Sequence, residues 1–333
     1  MLESANPPLP RKRRSKRDPI RSPLRGGQKR SVSIIGAGRL GTSLAIALDR
    51  TGHSLNLIVA RRGANAKRAS KVAGGQGTSL SARQFRQMLT SENPLFPPNS
   101  LIIIATPDDV IPSVARELAG SMNLQRGQIA LHTSGALTSH VLHPLRVRGI
   151  SVGALHPLVS ISDPVSGARS LSQAHFSVEG DTAATREAKS IVRKIGGQVF
   201  TIRAELKPLY HAAALMASPN FTALIDIALE MLDRCGLPAD QARKVLLPLI
   251  KSTTDNLAIA DPAHALTGTF KRGDVVTIKK HVEAISSQKL FDALEAYVLL
   301  GRHSLRLARH SRRTRAEIDQ ILTRALKRAR ARR

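Results

Sequence analysis

The stretch Ser31-Val32-Ser33-Ile34-Ile35-Gly36-Ala37-Gly38-Arg39-Leu40-Gly41 decides the fold. Residues 31–35 form a short β-branched run, and from Leu40 to Arg50 apolar residues recur at helical spacing. Between the two lies G-x-G-x-x-G. A bare glycine pattern of this kind is weak, but one that follows a strand, opens a helix and sits within a βαβ unit of about 30 residues is specific. Gly36 permits the tight turn, Gly38 lets the backbone approach a pyrophosphate, and Gly41 lets helix and strand pack closely. The N–H groups of the helix start then face the phosphates, and Ala37, Arg39 and Leu40 complete the cofactor-binding turn. The competing explanation is a glycine turn that serves packing alone.

Outward from the turn, Gly52-His53 closes the helix and Ser54 to Ala60 reads as a second strand. An NAD-preferring site places an Asp or Glu about 20 residues after the glycines, at the end of that strand, to bind the ribose diol. Here the strand runs into Ala60-Arg61-Arg62. A guanidinium fork suits a 2′-phosphate, so NADP is expected over NAD, against the alternative that Arg61 and Arg62 are solvated surface cations.

Further strands are expected at Leu101–Ala105, Gln128–His132, Ile150–Leu155, Phe176–Glu179 and Gln198–Ile202, with helices at 108–119, 137–147 and 182–195 between most of them. Such alternation specifies an α/β fold with a doubly wound, mostly parallel Rossmann sheet. After about Arg203 strands disappear, and helical stretches at 205–234, 238–257 and 275–309 mark an all-α second domain. The expected organisation is a disordered basic tail (1–30), a dinucleotide-binding domain (31–203), a helical substrate and dimerisation domain (204–301), and a basic, partly helical C-terminal tail (302–333). From Ala316 the tail places Ile318, Ile321, Leu322, Ala325, Leu326 and Ala329 on one helical face, suited to docking on the body, a partner subunit or an anionic surface.

Ligands of doubly wound sheets bind at the carboxyl ends of the strands. Thr106 and Pro107 follow the Leu101 strand and are expected to line the cofactor cleft, with Asp108 and Asp109 as caps of the next helix. By the same geometry His132-Thr133-Ser134-Gly135-Ala136 and His156-Pro157-Leu158 end the next two strands and face the nicotinamide end. The hydroxyls of Thr133 and Ser134 and the Gly135 N–H suit a substrate carbonyl or carboxylate, and equally suit helix caps. Among the 333 residues no His/Cys/Asp/Glu cluster has metal-ligand spacing, and no G-x-S-x-G elbow occurs.

The net charge of +27 is uneven. Residues 1–30 hold ten Lys/Arg against two acids and residues 302–333 twelve against two, which leaves +9 for the body. Terminal charge of this kind can contact polyanions without sequence specificity, but solvated tails look the same. With 3% aromatic residues and no Trp, stacking platforms for single-stranded nucleic acid are scarce. No apolar run approaches the roughly 20 residues needed to span a bilayer, and residues 1–30 lack the apolar core of a signal peptide, so a cytoplasmic protein without membrane attachment is expected. Cys235 lies in an apolar stretch, where a buried thiol is expected.

The order of motifs resembles Rossmann-like proteins with a C-terminal helical domain of unknown function, in the 6-phosphogluconate dehydrogenase-like superfamily near the deazaflavin-dependent NADP oxidoreductases and pyrroline-5-carboxylate reductases. The resemblance covers residues 31–300. It rests on the glycine turn, Ala105-Thr106-Pro107-Asp108-Asp109, His132 to Leu137 followed by His156-Pro157-Leu158, Leu209-Tyr210-His211-Ala212-Ala213, and Ala265 to Gly268 followed by Lys271-Arg272-Gly273-Asp274. It implies an NADP-type oxidoreductase whose helical domain completes the active site and forms a homodimer. It does not identify the small-molecule substrate.

In relatives a Lys and an Asn one helical turn apart on the first long helix of the second domain carry proton transfer and substrate binding. Asn220 matches that Asn, but Met216 stands where the Lys would be, and Pro219 should mark a helix boundary. The imidazole of His211 is the available replacement, against the alternative of a structural histidine. Arg272 suits a substrate carboxylate or phosphate, or is simply exposed, and Asp274 suits a helix cap. The expected activity is hydride transfer between NADP(H) and a small carbonyl, imine or hydroxy acid such as a ketopantoate-type 2-oxo acid, with Ser134, His156, His211, Asn220 and Arg272 around the substrate. The rival expectation is a non-catalytic NADP(H) sensor acting through its basic tails.

Overall fold

The computed structural model describes residues 30–331. The expected N-terminal tail therefore lies outside the described residues, apart from Arg30. Val32–Ile35 forms β1, and the chain then alternates: α1 (Arg39–Arg50), β2 (Leu55–Ala60), α2 (Gly63–Val72), β3 (Thr78–Ser81), α3 (Ala82–Leu89), β4 (Leu101–Ile104), α4 (Ile111–Ala119) and β5 (Ile129–His132). A 3-10 turn at Ser139–Leu142 leads into α5 (His143–Val147), followed by β6 (Ser151–Leu158), α6 (Pro164–Ser170), β7 (His175–Gly180), α7 (Thr182–Ile195) and β8 (Gln198–Phe200). The eight strands form one sheet in the order β3-β2-β1-β4-β5-β6-β7-β8. Every pairing is parallel except β6 with β7. This is the doubly wound, mostly parallel sheet read from the sequence.

Continuous apolar strands are what a sheet covered on both faces requires. Along β4, Leu101 and Ile103 pack on one face and Ile102 and Ile104 on the other, all with no solvent exposure. The first face is covered by α1, α2, α6 and α7 through residues such as Leu44, Leu48, Ala66, Ala168 and Ile191. The second is covered by α3, α4 and α5 through Phe85, Leu89, Ile111, Ala115, Leu118 and Leu145.

The remaining helices are α8 (Lys207–Ala217), α9 (Pro219–Arg234), α10 (Ala239–Ile259), α11 (Pro262–Ala265), α12 (Gly268–Arg272), α13 (Val275–Ser287), α14 (Phe291–Ala308) and α15 (Arg312–Arg330). The chain divides into two compact units between Pro208 and Leu209. Within the second, Ile278, Val282 and Ile285 of α13, Leu294, Val298 and Leu305 of α14 and Ile318, Leu322 and Ala325 of α15 form a buried core.

Several expectations need correction. Strand β3 and helices α2 and α3 were not foreseen, because Thr78-Ser79-Leu80-Ser81 is short, polar at three of its four positions and at the sheet edge. The stretch 205–234 breaks at Ser218, with Pro219 opening α9 as its missing N–H allows, and 275–309 breaks at Gln288–Leu290, where Lys289 has φ of 58°. The segment after 302 is no tail: it completes α14 and adds α15, whose apolar face enters the core. Cys235, expected buried, is exposed at the end of α9. The stretch Ala204–Arg234 also corrects the expectation that no run could cross a bilayer, since by length and composition it could, and none of its most apolar window is buried.

Candidate functional site

The glycine turn is built by close backbone approach. Gly36 and Ala37 both donate N–H to Val59 O at 2.9 Å, and Ala105 N–H donates to Ile35 O at 2.7 Å, so β1, β2 and β4 meet at the turn. Gly36 has φ of +108°, and a Cβ there would lie 2.5 Å from the Ala105 carbonyl. A Cβ on Gly41 would lie 2.0 Å from Gly36 O, so helix and strand pack too tightly for any side chain. A Cβ on Gly38 would meet nothing within 4 Å. The glycine that relatives of this motif keep for phosphate approach thus faces open space. It is also the N-cap of α1, with no side-chain cap and no acid in the first turn. A phosphate there meets free N–H groups and the positive end of the helix. These residues fit a dinucleotide.

Arg61 and Arg62 leave β2 exposed, Arg62 at the N-cap of α2. Arg39 is exposed at the start of α1. At the end of β4, Thr106 Oγ1 is buried and has no hydrogen-bond partner among the described residues, while Pro107 is exposed. A buried hydroxyl left unpaired beside the glycine turn is a ready contact for a bound ligand.

Beyond the turn, the carboxyl ends of β4, β5 and β6 gather a polar cluster that the sequence reading saw only in part. Asp108 does not cap α4, whose N-cap is Val110; its Oδ2 accepts from Ser134 Oγ at 2.7 Å. Ser134 Oγ in turn accepts from the N–H groups of Ala136 and Leu137, at 3.1 and 2.9 Å. That hydroxyl is committed to shaping the β5 loop and caps no helix, since the 3-10 turn that follows begins at Ser139 with Thr138 as its N-cap. His132 accepts the Ser134 N–H at Nδ1, 3.2 Å away. It has no solvent exposure, and burial with the nearby Lys207 charge pushes its pKa down to about 3, so the ring is neutral. His156 is half-buried two residues before the end of β6, opposite Ser177 of β7, rather than just past the strand end.

Lys207, the first residue of α8, was not foreseen as a functional residue. Its side chain has no solvent exposure and donates to Glu179 Oε1 of β7 at 3.5 Å. Burial lowers its pKa, against the opposing pull of Glu179 and Asp108. Glu179 also accepts from Ser139 N–H and Ser139 Oγ, both at 2.7 Å. One signal pointed here: Lys207 is the only charged residue between Glu205 and Asp226.

The other candidates lie on the helical unit. His211 is half-buried on α8, and the adjacent Tyr210 has its pKa raised to about 12 by burial. Asn220 is exposed on α9 and donates Nδ2–H to Met216 Sδ at 3.1 Å. Arg272 is exposed at the end of α12, and Asp274 caps α13 through Thr277 N–H. Among the described residues no group of three or more His, Cys, Asp or Glu is placed to hold a metal ion.

Residues 17–157 match a Rossmann-like domain, and residues 174–304 match a domain of unknown function, DUF2520. No curated protein matches the chain in sequence. Among solved structures, the chain is similar to a proposed NADP oxidoreductase of Bacteroides fragilis, at 22% identity over 84% of this chain and 98% of that one, with a TM-score of 0.66. A Thermotoga maritima protein is 25% identical over 84% of this chain and all of that one, again with a TM-score of 0.66. The pyrroline carboxylate reductase of Plasmodium falciparum, solved with NADP bound, shares 13% identity over 84% of this chain and all of its own, with a TM-score of 0.51. This chain pairs a Rossmann-like N-terminal domain with a DUF2520 C-terminal domain.

Proposed function

We propose that the protein is an NADP(H)-dependent oxidoreductase acting on a small carbonyl, imine or hydroxy acid. The observation that carries the reading is the glycine turn: Gly36 and Gly41 have no room for a side chain, while Gly38 faces open space at the uncapped start of α1. Packing alone explains the first two but not the third. Gly38, Arg39, Leu40 and Gly41 would hold the pyrophosphate through backbone N–H groups. Arg61 and Arg62 would bind the 2′-phosphate, where no carboxylate rewards a free diol. Thr106 would face the cofactor at the end of β4. When bound, the nicotinamide supplies or accepts the hydride, and the protein's part is to orient it and exclude water. The similarity to NADP-linked structural neighbours supports the same reading.

Titration calorimetry with NADPH and NADH under matched salt tests it. NADPH is expected to bind at least about tenfold tighter than NADH, and an Arg61→Ala/Arg62→Ala variant to lose that preference. Gly38→Ala is expected to melt like the parent, since its Cβ has space, yet to weaken NADPH binding by about tenfold or more by crowding the pyrophosphate. Failure of both dinucleotides to bind would leave a scaffold in place of an enzyme.

The helical unit supports a second element of the proposal, a homodimer. Among the described residues, α9 buries no side chain and α10 only Ala242, while Met216, Val245, Leu247, Leu249, Leu257 and Ile259 are exposed. Apolar surface on this scale calls for a partner surface, and a second copy of the chain supplies one.

A further inference from the structure

The loop after β5, residues 133–138, is held at both ends by carboxylates. At its start Ser134 Oγ donates to Asp108; at its end Ser139 donates through N–H and Oγ to the two oxygens of Glu179. Lys207 is the cation of this arrangement, bonded to Glu179 Oε1 and attracted by Asp108. His132 of β5 pairs in register with Ala154 of β6, which pairs with Glu179 of β7, so the cluster crosses three adjacent strands in one row. The titratable groups that face the ammonium are Glu179, Asp108 and the neutral His132, with His156 next to His132.

A buried ion pair is a poor device for stability, because desolvation offsets its attraction and an apolar replacement often folds as well or better. A buried lysine held on a strand carboxylate therefore needs another reason. Its geometry gives one: Glu179 would be a half-buried carboxylate without a counter-ion if Lys207 were absent, and Glu179 is what fixes the end of the loop at Ser139. That loop lies at the carboxyl ends of the strands, where ligands of doubly wound sheets bind.

We propose that Lys207, acting through Glu179, is a positioning residue that sets the 133–139 loop so that its backbone orders the nicotinamide end of the cofactor. The inference rests on the dinucleotide reading above. Lys207 has no exposed side-chain surface to offer a ligand, so its effect would be transmitted by the Glu179–Ser139 bonds.

The test uses the full chain, NADPH as the probe, and two readouts: backbone amide exchange by mass spectrometry, and the emission of the bound reduced nicotinamide. In Lys207→Met, exchange over 133–139 is expected to accelerate by about tenfold while β1 and β2 stay protected. NADPH affinity should change by less than about threefold, because the substitution leaves the backbone bonds that build the glycine turn in place. The emission enhancement of the bound nicotinamide should fall by more than about half, and Lys207→Arg should restore much of it by keeping the charge. A merely structural lysine would not separate affinity from nicotinamide emission in this way. Glu179→Gln provides an independent route if the Met variant fails to fold, and is expected to loosen the same loop. Unchanged exchange and unchanged emission in a folded variant that binds NADPH overturn the proposal. If the parent chain binds no dinucleotide, the oxidoreductase reading and the nicotinamide role fall together; in a chain that does bind, a loosened loop with reduced emission supports both, whereas a loosened loop with unchanged emission overturns the nicotinamide role alone.

Discussion

His132 shows at the residue scale how burial chooses a protonation state. Its ring is enclosed at the end of β5, accepts the Ser134 N–H and sits near the Lys207 ammonium, so the charged form is disfavoured and the pKa falls to about 3. In the unfolded chain the same ring titrates near 6.5. Between those values the unfolded state binds a proton that the folded state refuses, so stability is complete above about pH 6.5 and declines as pH falls toward 3. The slope from this one group approaches about 1.4 kcal/mol per pH unit. Denaturant melts of the parent between pH 7 and 4 should show it, and a His132→Asn variant, which keeps a polar group of similar reach, should give a flatter acid limb. Parallel limbs would mean that His132 takes up a proton in the folded state. Residues of this sort divide sharply in legibility. The glycines of the turn were readable because their requirement is steric and local. Lys207 and Glu179 were not, since lysine is ordinarily a surface residue and its burial depends on strands 28 positions away. Cys235 failed in the same way, its apolar neighbours suggesting a burial that the exposed end of α9 does not provide.

At the scale of elements, strongly patterned segments were legible and weakly patterned ones were not. The all-apolar β4 and the β5 run Ile129-Ala130-Leu131 could be placed within a residue or two, whereas Thr78–Ser81, with one buried side chain, carried no strand signal of its own and pairs with β2 only because the sheet offers an edge. The most instructive element is α15. Its charge, with basic residues throughout its last turn, suggested a solvated tail, but its apolar spacing placed Ile318, Leu322 and Ala325 on one face, and that face is buried against α13 and α14. Periodicity outweighed charge because long cationic side chains can keep their heads in water while their helix packs. Arg302 of α14 adds a lateral tie, donating to Asp319 Oδ1 at 2.7 Å and Thr323 Oγ1 at 2.6 Å. Leu322→Ala should therefore destabilise the helical unit by about 3 kcal/mol, the usual scale for emptying a closed apolar site. Chemical denaturation followed by the helix signal measures it, and a change below about 0.5 kcal/mol would return α15 to the status of a tail.

For the whole molecule the question is what covers the apolar surface of α8 to α10. The stretch Ala204–Arg234 is apolar enough to cross a bilayer, but it is broken at Ser218 and carries Lys207, Asp226, Glu230, Asp233 and Arg234. Charges spaced through such a stretch are expensive in hydrocarbon and ordinary in a helix that meets another protein. In the dimer reading, the exposed Leu247 and Leu249 of α10 belong to a surface that buries itself against a second copy. Sedimentation equilibrium of the parent at micromolar concentration is expected to give the mass of two chains, and a Leu247→Glu/Leu249→Glu variant that of one, with NADPH affinity at the glycine turn retained. The charge argument makes the direction firm: two carboxylates introduced into an apolar contact must be desolvated without partners. A parent chain that sediments as a monomer and floats with lipid vesicles would assign the same surface to a membrane, and one that remains a monomer in both assays would leave the helical unit awaiting a different protein partner.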